Sequence, residues 1–157
     1  MGRTVLFCLV VSALLMMHKE SDAQSQRAYY MTKVPVSPTK APNACTAGFH
    51  FASLFEISEP SFFRYDTSLG WTQDDSGKGP PANGFAWIRS GGSTAAFPVK
   101  NPLSNCRLWT TEDRKIAGTA ASLRVGNEKT TVWMRTGVWA VTGMSCSEKL
   151  PVWCVQD

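Results

Sequence analysis

His50 is the only histidine outside the first two dozen residues, so it is the one imidazole available as a general base. Its neighbours Phe49 and Phe51 argue instead for a structural histidine held in a packed motif. Carboxylates come next. Asp74 and Asp75 adjoin on a glycine-rich stretch, with Glu59 and Asp66 upstream. Asp74, Asp75 or Glu59 could supply the carboxyl pair that a polysaccharide hydrolase sets across a glycosidic bond. Asp74 and Asp75 could also share a cation with Asp66, although calcium takes about six to eight oxygens and these side chains offer few. Neither a G-x-S-x-G elbow nor a phosphate-binding glycine loop is present.

Beyond the first 23 residues the cysteines are Cys45, Cys106, Cys146 and Cys154. An even number in an oxidising compartment implies two disulfides, and the spacing leaves all three pairings open. Zinc is the weaker reading, because no pair has CxxC spacing and only one histidine is at hand. If every cysteine is bridged, no thiolate nucleophile exists. The six tryptophans all follow Gly70. Trp87, Trp109 and Trp153 sit in apolar, strand-like runs and are expected in the core. Trp71, beside the acidic loop, and Trp139, before a glycine turn, are the candidates for exposed stacking faces.

The elements that must position these residues can be read in outline. Tyr29 to Val34 favours a first strand, and Pro35, Pro38 and Pro42 make an extended connector after it. Apolar residues at 51, 54, 55 and 57 suggest a short helix with one buried face. Ser58 and Pro60 suggest the start of a second helix through Phe62 and Phe63. Residues 73 to 84 are rich in turn-formers. Short strand-like runs follow: Phe85–Arg89, Arg107–Thr111, Ala121–Val125, Thr130–Arg135, Val138–Thr142 and Pro151–Gln156. Residues 90 to 105 make a second long loop. Helices early and an antiparallel sheet late give an α+β domain.

Residues 1 to 23 read as a secretory signal peptide. Arg3 precedes an apolar run from Val5 to Met17, and Ser21 and Ala23 suit a peptidase cutting before Gln24. The run is too short for a membrane anchor. The organisation expected is a signal peptide over 1–23, a tail over 24–28 and one domain over 29–157, secreted or periplasmic and not inserted in a membrane. The segment to be removed carries as many basic as acidic residues, so the net charge of +4 belongs to the remainder. Arg64, Lys78, Arg89, Arg107, Arg124 and Arg135 are scattered as singles, which argues against a nucleic-acid partner. No Asn-x-Ser/Thr acceptor is present.

Cys45-Thr46-Ala47-Gly48-Phe49-His50-Phe51-Ala52-Ser53-Leu54 resembles the first-helix region of C-type-lectin-like domains. Phe85-Ala86-Trp87-Ile88-Arg89-Ser90-Gly91 is similar to their core strand, and Cys146 with Pro151-Val152-Trp153-Cys154-Val155 to their paired terminal cysteines. The combination of GFHxASLFEI, WIRSGG, NCRLWTT and PVWCV looks most like secreted bacterial domains of unknown function, distantly similar to the lectin and endostatin folds. The resemblance covers most of residues 29 to 157. It implies nested disulfides, Cys45 with Cys154 and Cys106 with Cys146, and a C-type-lectin-like α+β fold of two short helices on a small antiparallel sheet. It does not carry over calcium-dependent sugar binding. The loop at 95–102 and the stretch Trp139–Ser145 have no acidic residue to hold the ion.

The function expected is a non-catalytic recognition module that uses loops 71–84 and 90–105. Trp71, Asp74, Asp75 and Trp139 are its candidate contacts, an extracellular glycan or protein its partner, and no cofactor is called for. A small secreted hydrolase using the loop carboxylates, and a structural surface or matrix protein, are the other two readings.

Overall fold

The computed structural model describes residues 26–74, 76–81, 84–90, 104–123, 134–136 and 139–157. The signal peptide expected over 1–23 with its cut before Gln24, Asp75 and most of the 90–105 loop lie outside the described residues. Eight strands form two four-stranded sheets. They are β1 (Arg27–Met31), β2 (Phe49–Phe51), β3 (Phe63–Tyr65), β4 (Ala86–Trp87), β5 (Ala117–Leu123), β6 (Met134–Thr136), β7 (Trp139–Ser145) and β8 (Trp153–Gln156). The first sheet runs β2-β8-β1-β3 and the second β4-β5-β7-β6. The second is antiparallel throughout, whereas in the first β1 pairs parallel with β3. The fold class is α+β as expected, but with two sheets, one of them mixed.

Local structure departs from the sequence reading in ways that have physical causes. β1 starts at Arg27 and ends at Met31, because Arg27 and Ala28 find partners in Phe63 and Arg64. Phe51, expected at the head of a helix, instead ends a strand, Phe49–Phe51, paired with β8 at the edge of the first sheet. The only right-handed α-helix among the described residues is one turn, α1 (Leu54–Ile57). A reciprocal cap opens it: Ser53 Oγ accepts from the Glu56 amide, and the Glu56 carboxylate takes the Ser53 amide at 2.8 Å. Leu54 and Ile57 are buried, but Phe55, expected on the same inner face, is 89% exposed. Ser58 closes this turn rather than opening another, and Pro60–Phe62 is a 3₁₀ turn that leads straight into β3.

The largest departure is at Cys106–Trp109, which overlaps the run Arg107–Thr111 expected as a strand. These four residues make one turn of left-handed helix, with φ of 47°, 52°, 58° and 64°. For residues other than glycine this conformation costs about 1–2 kcal/mol each. Its retention traces to strong tethers. Asn105 accepts the Leu108 amide on its side chain and the Trp109 amide on its carbonyl, at 3.0 and 2.6 Å. Cys106 is bonded to Cys146, and Trp109 is buried edge-on to Phe51 and Trp87.

Both disulfides join the pairs implied by the resemblance, Cys45–Cys154 and Cys106–Cys146. The core lies where the sheets meet and is largely aromatic. Trp153 of β8 stacks against Tyr29, meets Trp139 of β7 edge to face at 5.0 Å, and donates its indole N–H to the Ala121 carbonyl of β5. β4 bonds to both sheets' surroundings, Trp87 N–H to Pro151 and Ile88 N–H to Thr119. Trp87, Trp109 and Trp153 are thus core residues, as expected. Among the described residues no helix is long and apolar enough to cross a membrane.

Candidate functional site

The residues around the end of β3 and the turn that follows it build a concavity on the described surface. Asp66 ends the strand, and its Oδ1 accepts from the Ser68 hydroxyl at 2.6 Å, the Ser68 amide at 2.9 Å and the Leu69 amide at 3.2 Å. These bonds wind 66–69 into a tight turn, and the Ser68 hydroxyl leads the effects that hold the Asp66 carboxyl below its usual range. Gly70 then passes so close to Tyr65 that a Cβ there would meet the phenol oxygen at 2.4 Å. This contact lets Tyr65 donate to the Trp71 carbonyl at 2.6 Å, while the Trp71 amide bonds to Met31. Burial pushes the Tyr65 phenol up to about 12, so it stays a neutral donor.

Between this turn and Lys78 lies an open depression of about 330 Å³, lined by Arg64, Tyr65, Asp66, Thr67, Ser68 and Lys78. Lys33, just past β1, donates its ammonium to the Ser68 carbonyl at 2.9 Å and brings a third cation to the same turn. The Gln73–Ser76 turn on the far side is closed by Gln73 N–H to Ser76 Oγ and Ser76 N–H to the Gln73 carbonyl.

The expected contact residues fall in different places. Trp71 is half-buried, packed on the core with its ring edge against Gly84, and exposes only part of its surface. Asp74 is exposed on its turn, and Asp75 lies outside the described residues. Trp139 is fully buried against Trp153, so its face is not a stacking platform; the glycine turn expected after it is instead strand β7. Glu59 is exposed and takes only a long contact from Ser61. Among the described residues no cluster of three His, Cys, Asp or Glu is arranged to hold a metal ion. Arg64 and Lys78 were not singled out from sequence, because β3 itself was not foreseen and only its turn brings the two side chains to one hollow.

His50 is half-buried rather than enclosed in the core. As the middle residue of a three-residue strand it points away from Phe49 and Phe51. Its Nε2 meets Glu56 Oε1 and its Nδ1 meets Asp157 Oδ1, each at 2.7 Å. Both ring nitrogens are thus committed to carboxylates, an arrangement that ties α1 to the end of β8. Burial would raise the Glu56 carboxyl, but hydrogen bonds from the Ser53 hydroxyl and amide and from His50 outweigh it and bring it down to about 2. Arg89 adds a looser contact to the same carboxylate at 3.6 Å.

Comparison with protein families, with curated proteins and with solved structures finds no match to this chain.

Proposed function

We propose that this chain is a secreted, non-catalytic recognition module of C-type-lectin-like fold that binds through the face formed by the turn at 66–70 and the loop at 71–84. The observation that carries the reading is the depression at Arg64–Ser68 and Lys78, set on a scaffold braced by two disulfides. Loops on a rigid, cross-linked frame can present varied chemistry without disturbing the core. Support for the fold reading comes from the pairing of β1 with β8 and from the nested bridges. Support for secretion comes from those bridges and from the Arg3-led apolar segment ending at Ala23. The test is an array of glycans and extracellular matrix proteins probed with the domain, with and without calcium. Specific capture that persists in chelator is expected; absence of capture on every feature would count against a recognition role.

A further inference from the structure

We infer that the depression between the 66–69 turn and Lys78 binds an acidic saccharide unit through its carboxylate or sulfate group. This rests on reading the domain as a binding module and names the chemistry of its site. Arg64 and Lys78 both line the hollow, and among the described residues neither is in an ion pair. The one carboxylate in the lining, Asp66, lies in Arg64's field, but its Oδ1 already takes three donors from its own turn. Lys33 is not part of the lining, but its ammonium is bonded to the Ser68 carbonyl and adds positive charge beside the same turn. Cations gathered on a concave surface attract an anion, and Arg adds a planar fork suited to carboxylate or sulfate oxygens.

The remaining lining selects among anions. Thr67 and Ser68 bring hydroxyl groups, while the only aromatic, Tyr65, is buried with its hydroxyl engaged by Trp71. An acidic peptide or protein would want an apolar anchor pocket, which this lining lacks. The hollow of about 330 Å³ lies at the small end of ligand clefts, sized for one charged unit rather than an extended chain. Apart from the adjoining Arg114 and Lys115, which follow Glu112 and Asp113, the other basic residues stand singly, so a long phosphate track has little to follow. The turn is also preformed: Gly70 against Tyr65 and the Asp66 bonds fix it before any ligand arrives.

The experiment is calorimetric titration of the disulfide-intact protein with polygalacturonate and dextran sulfate, with dextran and polyglutamate as comparison arms. Binding to an acidic polysaccharide is expected, with dextran silent and polyglutamate weaker. Arg64→Gln and Lys78→Gln should each weaken it about tenfold, the scale of one charge-assisted hydrogen bond. Both side chains are exposed, so thermal unfolding should not move. Acidic-polysaccharide binding that both variants retain would overturn the site and leave the module reading intact. So would capture of a neutral glycan or a protein on the array with no acidic polysaccharide bound, or polyglutamate binding as well as either acidic polymer. Silence toward every titrant and every array feature would remove both readings.

Discussion

His50 Nδ1 and Asp157 Oδ1 meet at 2.7 Å across 107 positions of sequence. With Glu56 on the opposite nitrogen, the imidazole fastens the end of β8 to α1. With a carboxylate at hydrogen-bond distance from each ring nitrogen, the imidazole serves as a tether between them.

The Glu56 carboxyl gives this tether an acid limit. Its folded pKa of about 2 lies below the ordinary 4.5, so the folded protein binds fewer protons than the unfolded one in between. The stability it contributes is therefore complete above pH 4.5 and is lost as pH falls toward about 2. Glu56→Gln keeps a side chain that can serve the reciprocal cap but removes the titration. Urea unfolding from pH 5 downward should show a shallower loss for the variant than for the parent, and parallel curves would contradict the assignment.

Gly118 of β5 faces the inner disulfide, and a Cβ there would lie 2.5 Å from Cys106 Sγ and 3.0 Å from the Trp87 ring. Neither neighbour is a flexible side-chain end. Gly118→Ala should cost about 1–3 kcal/mol through overpacking. A thermal midpoint equal to the parent's would show that the disulfide yields more than its packing suggests.

At Arg107 the expected change is a gain. Its φ of 52° suits glycine, and its side chain is exposed. Arg107→Gly should relieve about 1 kcal/mol of left-handed strain, partly offset by the greater freedom of glycine in the unfolded chain. A small rise in midpoint is expected, and a clear fall would mean that the guanidinium contributes more than the backbone costs.

The outer bridge, Cys45–Cys154, spans 109 positions and the inner one, Cys106–Cys146, spans 40. In the chain-entropy account such loops stabilise by about 4–5 kcal/mol each. Non-reducing peptide mapping should recover these two links. Replacing both outer cysteines by alanine should destabilise at least as much as replacing both inner ones, and the reverse order would point to strain relieved at one site.

Much of this architecture was legible in the residues. Tryptophans flanked by apolar neighbours marked the core, and turn-formers at 73–84 marked a loop. The failures cluster where elements are shorter than a period. Three residues, Phe49–Phe51, cannot display either a two-residue or a 3.6-residue repeat, so the strand was not foreseen and the apolar spacing of 51, 54, 55 and 57 drew Phe51 into a helix. The parallel pairing of β1 with β3 leaves no local signature, and the hollow beside it was invisible for that reason. At Cys106–Trp109 side chains that favour strands are held otherwise by Asn105, the bridge and burial, so tertiary tethers override propensity. Trp139 looked like a loop-edge aromatic only because β7 was read as stopping at Thr142, when it runs on to Ser145.

The strand order β2-β8-β1-β3 puts β8, the last of these four strands in chain order, in the interior of the first sheet. While residues 153–156 are still being added at the ribosome, β1 and β2 have no common partner, Cys45 has no mate, and the Tyr29–Trp153 stack has no second ring. Such a chain cannot close stepwise from its amino end during translation. The first sheet must wait for β8, and its central pairings, the outer crosslink and the Tyr29–Trp153 stack then form together once Gln156 has been made.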